Sequence, residues 1–307
     1  MRSMANWNGE ITPAEQAKIP IFDRGFLYGD SIYEVVRTYQ GVPFFHEEHL
    51  DRLENSARLA RIQLTQSRDF LKQEIKRTVE SSELEPGEDV FIRYTITRGS
   101  GPLSLNPYSS QRTSYLILAA PIPEWNPMHY EKGTRVLLAR TRRNSPLALD
   151  PNIKSGNYLN SILAAGEAAD SKCDDAIMLS IDGKVTESTN SNVCFIFDGE
   201  IHSPLHEPTT NTGNLNGITK RVVSSLCGEL GIKFYERPIF PQELAKATEA
   251  FQCSATREVM PIASIQLSKD QTLTFPGGTG EVVQKLRAAY RAFIKTYVRD
   301  HQKEALF

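Results

Sequence analysis

Lys154, Glu187, Thr219 and Thr256 lie far apart in the sequence, yet each stands in a setting suited to one part of a single chemical task. Lys154 belongs to IKSGNYLNSILA, between apolar Ile153 and the small pair Ser155-Gly156, just ahead of a helical pattern. Glu187, in TESTNSNV, ends the strand-like KVT stretch and precedes a Ser/Thr/Asn-rich turn. Gly217-Ile218-Thr219 opens a second helical pattern, and Thr256 lies in the short Ser-Ala-Thr turn of CSATREVMPI. A lysine amine condenses with an aldehyde and, once free, moves a proton. A buried carboxylate keeps a basic ring nitrogen protonated. Helix N-terminal N–H groups, hydroxyls and a cation hold a phosphate, and Arg52 on an earlier helical segment supplies the cation.

Taken singly, each residue has an ordinary reading as a solvated lysine, a solvent-facing glutamate, a helix cap or a surface ion pair. Taken together they fit a group that carries an aldehyde, a basic ring nitrogen and a phosphate. Pyridoxal 5′-phosphate carries all three.

The elements that must position these residues are a mixture of strands and helices. SIYEVVRTY alternates apolar and polar residues and runs into a turn at Gly41. FFHEEHLDRLENSARLARI places Leu50, Leu53, Ala57, Leu59 and Ala60 on one helical face, and DFLKQEIKRTVESS predicts a second helix. VFIRYTITRG and SYLILAA are rich in β-branched and aromatic residues and read as paired strands. APIPEWNPMHYEKG, with Pro121, Pro123 and Pro127, reads as an irregular interdomain connection. Beyond it come the strand TRVLLART, a helix through SILAAGEAADSK, and a hairpin DDAIMLSIDGKVTES turning at Asp182-Gly183. The strands SNVCFIF and EIHSPL, a helix from Thr219 through RVVSSLCGELG, a strand around KFYERPI and a last helix EVVQKLRAAYRAFIKTYV complete the pattern. The expected division is a small N-terminal α/β domain over 1–120, a loop over 121–133 and a larger domain over 134–307.

Composition narrows the function classes. With 307 residues, 40% hydrophobic and 23% charged, the chain can bury a core in one large or two medium domains. Its 35 basic and 37 acidic residues are well mixed, so no basic stripe draws it to nucleic acid or an anionic membrane. Cys173, Cys194, Cys227 and Cys253 form neither CxxC pairs nor a Cys/His cluster, which fits free thiols in a reducing compartment. His46 and His49 of HEEH start a helix with no further ligands beside them, so no metal site is expected. MRSMANWNGE lacks a signal-peptide core and no apolar run reaches the roughly 20 residues of a bilayer span, making the cytoplasm the expected location.

The ordered motifs DRGFLYGDSIYEVVR, HLDRL, KSGNYL, VTESTNSNV, NGIT and SATREVMPI resemble the fold type IV pyridoxal phosphate enzymes over nearly the whole chain. That group holds branched-chain aminotransferases, D-amino acid aminotransferases and aminodeoxychorismate lyases. The resemblance implies a small α/β domain joined by a loop to a larger domain with a barrel-like sheet, the cofactor in the cleft between them, and a homodimer or higher oligomer. It implies Lys154 as the Schiff-base lysine, Glu187 as partner of the pyridine nitrogen and Tyr158 as donor to the phenolic oxygen. Arg52, Gly217, Ile218, Thr219 and Thr256 would hold the phosphate, and Leu215 would pack on the ring. Tyr158 lies four residues after the lysine, whereas the branched-chain enzymes place it five after.

Within the family the signals are mixed. YGDSIYEVVR looks like the branched-chain YGxxxFEGxR, with Tyr33 for phenylalanine and Val35 for glycine; YEVV is a D-specific trait, whereas Arg37 fits the branched-chain side. Phe91-x-Arg93 echoes the branched-chain YxRP without its proline. SGPLSLNP carries Leu103 and Leu105 where D-specific enzymes place an arginine and a histidine for the substrate carboxylate, although both leucines could instead pack the loop. The leading expectation is therefore ping-pong transfer of the amino group of leucine, isoleucine or valine to 2-oxoglutarate, yielding glutamate. Tyr28, Tyr33, Arg37, Phe91, Arg93, Thr256 and Arg257 are the substrate candidates, with Arg257 either narrowing the pocket or adding a carboxylate anchor. The alternatives are a D-amino acid or (R)-amine transaminase and an aminodeoxychorismate lyase.

Overall fold

The computed structural model describes residues 1–85, 87–110, 112–206 and 213–307. It divides into two compact units, one of Met1–Pro123, Asn152–Asn157 and Ile294–Phe307, the other of Glu124–Pro151 and Tyr158–Phe293. The chain thus contributes three separate stretches to the first unit, where a division into consecutive blocks over 1–120 and 134–307 assigns it one. Residues 152–157, with Lys154 among them, group with the N-terminal sequence.

In the first unit, a hairpin of β1 (Met4–Trp7) and β2 (Glu10–Pro13) precedes a short helix α1 (Arg24–Tyr28). The strand β3 (Ser31–Tyr39), the short β4 (Val42–Pro43), helices α2 (His46–Leu59) and α3 (Arg68–Glu80), and strands β5 (Val90–Thr97) and β6 (Ser114–Pro121) follow. The sheet order is β2-β1-β6-β5-β3-β4, with antiparallel neighbours. Because side chains alternate across a strand, Ile32 and Val36 of β3 enter the core with Ile92, Tyr94 and Ile96 of β5 and with Leu50, Leu53 and Ala57 of α2. Burying each such large aliphatic side chain contributes about 1.5–3 kcal/mol, enough to fix which face of β3 meets the helices. The opposite face carries Tyr33, Arg37, Phe91 and Arg93, brought close by the pairings Val35↔Arg93 and Arg37↔Phe91.

In the second unit, α4 (Pro127–Glu131) is followed by β7 (Thr134–Arg142), α5 (Leu159–Asp170), β8 (Asp175–Leu179), β9 (Val185–Ser188), β10 (Asn192–Phe197) and β11 (Glu200–Pro204). Then come α6 (Ile218–Leu230), β12 (Phe234–Arg237), β13 (Glu249–Ser254), β14 (Glu258–Gln266), β15 (Thr272–Thr274) and α7 (Glu281–Asp300). The strands lie in the order β12-β11-β10-β13-β14-β7-β8-β9, with β15 beside β14. Val136, Ile177, Val193, Phe195, Ala250 and Ile262 make its buried face.

The α4 helix corrects the expectation of an irregular connection across 121–133, as does Pro121, which still pairs with Val90 at the end of β6. Asn126 accepts a hydrogen bond from the Met128 N–H at 3.0 Å, and Pro127 stands in the first turn. Proline there forfeits no helical hydrogen bond and its fixed φ suits the helix; Asn-Pro starts structure here. Among the described residues, no helix is long and apolar enough to cross a membrane.

Candidate functional site

In the first unit Lys154 is set by its main chain before its side chain acts. The stretch around it lies along the edge of β3: the Tyr33 N–H donates to the Lys154 carbonyl at 2.9 Å and the Gly156 N–H to the Ser31 carbonyl at 2.9 Å. The Lys154 N–H donates to Ser56 Oγ on α2 at 3.2 Å, and Ser56 Oγ in turn bonds the Asn152 carbonyl. Gly156 leaves room for this approach, since a Cβ there would sit 2.3 Å from Ser31 Oγ and would make that side chain shift. The amine leaves this anchored backbone toward Tyr33: Nζ donates to the phenol oxygen at 3.1 Å and lies 4.4 Å from the ring centre. The Arg93 guanidinium lies 3.7 Å from the same ring centre. Arg37 sits over the Tyr39 ring at 4.1 Å, and Tyr28 ends α1, half-exposed.

On the helix side of β3 lies a buried charged group of Glu34, His49 and Arg52. Arg52 forks onto Glu34, Nε to Oε1 at 2.7 Å and a terminal nitrogen to Oε2 at 2.8 Å, while His49 Nδ1 meets Oε2 at 2.7 Å. Burial alone would raise the Glu34 carboxyl, but the Arg52 charge and hydrogen bonds, with those of His49, hold it far below the ordinary range. Burial pushes His49 down, aided by the Arg52 and Lys154 charges and opposed by Glu34. With the Glu34 carboxylate as acceptor, the proton shared at 2.7 Å sits on His49 Nδ1. Arg52, expected at the phosphate, is thus held through a bidentate pair by its own sheet.

In the second unit Glu187 ends β9 with its side chain buried. Arg143, one residue beyond β7, binds Oε1 at 2.8 Å, and the Leu215 N–H donates to Oε2 at 2.9 Å. The same guanidinium donates to Ser161 Oγ and to the Gly213 carbonyl, each at 3.1 Å. Two of the four lone-pair sites of the carboxylate are therefore used and acceptor capacity remains. Asn192 Nδ2 binds the Leu215 carbonyl at 3.0 Å, so β9, β10 and the 213–217 segment are drawn together.

That segment delivers Gly217 to the start of α6, where no side chain caps the helix. A Cβ on Gly217 would fall 1.9 Å from Asn192 Oδ1. The uncapped amides of Ile218 and Thr219, the positive end of the helix dipole and the adjacent Thr219 hydroxyl form a cradle suited to a phosphate. Thr256 lies in the turn between β13 and β14, its carbonyl accepting from Trp125 Nε1 at 3.0 Å. Tyr158 caps α5 by its backbone. The lysine of the first unit, and the carboxylate with spare acceptor sites and the uncapped helix start of the second, are each of a kind that pyridoxal 5′-phosphate requires, and in chemistry the residues fit it.

Arg257 is buried, its two terminal nitrogens meeting Asp175 and Asn190 and its Nε without a hydrogen-bond partner among the described residues. Leu103 and Leu105 are 72% and 79% exposed, so the reading in which both pack their loop does not hold. Glu34, His49, Arg143, Asp175 and Asn192 were missed as site residues. The strict alternation of SIYEVVR, which turns Glu34 toward the core face, was the available signal for one of them.

A family model described as amino-transferase class IV matches residues 31–265. The chain is 33% identical over 284 residues to a Methanocaldococcus jannaschii protein described as "Putative branched-chain-amino-acid aminotransferase", covering 92% of this chain and 94% of that one. It is 33% identical over 260 residues to the D-alanine aminotransferase of Bacillus licheniformis, covering 84% and 87%. The crystal structure of the Escherichia coli branched-chain amino acid aminotransferase superposes with a TM-score of 0.87 at 27% identity, covering 96% of this chain and 95% of that one.

Proposed function

From the premise that the chain belongs to the class IV aminotransferases, with their mixed α/β fold type IV architecture and curled half-barrel sheet, we propose how its residues carry out branched-chain transamination. The donor in this reading is the L-amino acid leucine, isoleucine or valine, and 2-oxoglutarate is the acceptor in a ping-pong cycle. The observation that carries it is Lys154, its main chain held by two backbone hydrogen bonds to β3 and one to Ser56 Oγ of α2, and its amine aimed at the Tyr33 phenol.

Pyridoxal 5′-phosphate supplies, when bound, an aldehyde for the amino group and a protonated ring that accepts the electron pair of the Cα–H bond. Lys154 would hold the aldehyde at rest and, once released, would move the proton at the amino acid Cα. Tyr33 orients the amine for that transfer. Glu187 would hold the ring nitrogen in its protonated form, and Arg143 fixes the carboxylate in place. The Ile218 and Thr219 amides, with the Thr219 and Thr256 hydroxyls, would bind the phosphate; Arg52, its charge already matched by Glu34, would contribute less than the start of α6. Tyr158 would donate to the phenolic oxygen and Leu215 would pack on the ring.

Tyr28, Tyr33, Arg37, Phe91 and Arg93 select the substrate, and the Tyr33–Arg93 pair presents one cation beside an aromatic surface. Leu103 and Leu105 offer no charge to a carboxylate, which favours the branched-chain reading over a D-specific one. The 33% identity to a D-alanine enzyme keeps D-amino acids in the test. That test follows the bound cofactor's absorbance during single half-reactions with L-leucine, L-valine, D-alanine and an (R)-amine. Rapid conversion by L-leucine is expected; rapid conversion by D-alanine with none by L-leucine would sink the assignment.

A further inference from the structure

Arg257 follows Thr256 in a tight turn; both of its terminal nitrogens are engaged, while its buried Nε has no hydrogen-bond partner among the described residues. One terminal nitrogen meets Asp175 Oδ2 at 3.0 Å and the other donates to Asn190 Oδ1. The guanidinium carbon stands 4.6 Å from the centre of the Trp125 ring. Only 5% of the residue is exposed.

The main chain is fastened as well. The Arg257 N–H donates to Ser254 Oγ at 3.3 Å and its carbonyl accepts from the Tyr130 hydroxyl at 3.1 Å. Trp125 lends its ring to the Arg257 cation and its Nε1–H to the Thr256 carbonyl at 3.0 Å. Asp175 extends the cluster: Thr189 Oγ1 donates to Oδ1 at 2.6 Å and Gln252 Nε2 to Oδ2 at 2.8 Å. Gln252 Nε2 also reaches Ser188 Oγ at 2.7 Å. Ser188, Thr189 and Asn190 are the residues that follow Glu187.

We propose that Arg257 is a positioning residue: it locks the turn bearing Thr256 to the strand end bearing Glu187, so that both cofactor contacts are held as one rigid piece. It is not a receptor for the substrate carboxylate. Asp175 already neutralises its charge, and a second anion brought beside this pair would leave an uncompensated buried negative charge, which is strongly unfavourable. Trp125 and Tyr130 complete the lock from the segment around α4.

This inference rests on Thr256 and Glu187 being cofactor contacts, and its test separates that premise from the branched-chain assignment. Enzyme stripped of cofactor is titrated with pyridoxal 5′-phosphate, following the absorbance of the bound form. KM for L-leucine and for 2-oxoglutarate is then measured at saturating cofactor. Arg257→Met and Trp125→Phe are expected to weaken cofactor affinity about tenfold, with each KM within about twofold of wild type. Arg257→Lys, which keeps a charge for Asp175 but lacks the fork to reach Asn190 as well, restores part of the affinity.

Unchanged cofactor affinity with both KM values raised about tenfold or more would overturn the proposal in favour of a carboxylate anchor. If Arg257→Met fails to fold, Trp125→Phe decides alone, because it keeps the ring face and removes one hydrogen bond. A Thr256→Val protein that binds the cofactor as tightly as wild type would defeat the premise itself. The titration uses no substrate, so failure of the branched-chain reading leaves its outcome intact.

Discussion

Arg143→Met asks how firmly the Glu187 carboxylate is held. The substitution keeps an apolar stem of similar reach and removes the contacts to Glu187 at 2.8 Å and to Ser161 and Gly213 at 3.1 Å. The Glu187 side chain is 8% exposed and that of Arg143 20%, so the abandoned carboxylate gains little water. Removing one partner of a buried ion pair costs about 3–5 kcal/mol. The Leu215 N–H remains on Oε2 and Arg143 is the more exposed partner, which places the expected loss at the lower end, about 3 kcal/mol. Urea unfolding of cofactor-free protein, followed by circular dichroism, measures it for Arg143→Met, Glu187→Met and the double variant. The double variant should be less destabilised than the sum of the singles by about 2 kcal/mol. A loss below about 0.5 kcal/mol for Arg143→Met, or strict additivity in the cycle, would refute the claim that this pair organises the ring-nitrogen site.

Two further outcomes follow from the geometry. Burial, reinforced by the charges on His49 and Lys72, pushes His46 from 6.5 down to about 4, so between those values the unfolded chain binds a proton that the folded one refuses. Stability should therefore fall as pH drops from 6.5 toward 4, by up to about 3 kcal/mol from this residue, and denaturant midpoints of His46→Gln against wild type should show a shallower decline in the variant. Gly217→Ala drives a Cβ into Asn192 Oδ1 and displaces the side chain that holds the Leu215 carbonyl; cofactor affinity, read by absorbance titration, should fall about tenfold or more, and an unchanged value would argue against the α6 cradle.

The legible parts of the fold were those governed by local pattern. Leu50, Leu53 and Ala57 marked the buried face of α2, and Asp182-Gly183 marked the turn between β8 and β9, where the Ser180 N–H closes on the Lys184 carbonyl at 2.8 Å. The hairpin of β1 and β2 escaped notice because four-residue strands leave too short a run for alternation to register. The α4 helix escaped because three prolines outweighed one capping asparagine. The site divides in the same way. Lys154, Glu187 and Thr219 stand in recognisable ordered motifs, whereas Arg143 meets Glu187, and Asp175 meets Arg257, only through tertiary pairing between strands distant in sequence. Charge partners of that kind have no spacing rule to reveal them. Arg257 looked available from its neighbours in the chain; its engagement was decided by Asp175.

The run of Asn152–Asn157 beside β3 also bears on how such a gene can be recombined. A crossover at the join between Pro123 and Glu124 looks natural, since it separates the two largest continuous stretches. It would, however, take β3 from one parent and the Lys154 strip from the other. Lys154 and the strand that grips its backbone would then be strangers, matched only if both parents preserved the same edge register and the small glycine at 156. Exchange of the residues proposed to select substrate on β3 and β5 thus carries a hidden condition: the lysine strip must travel with them.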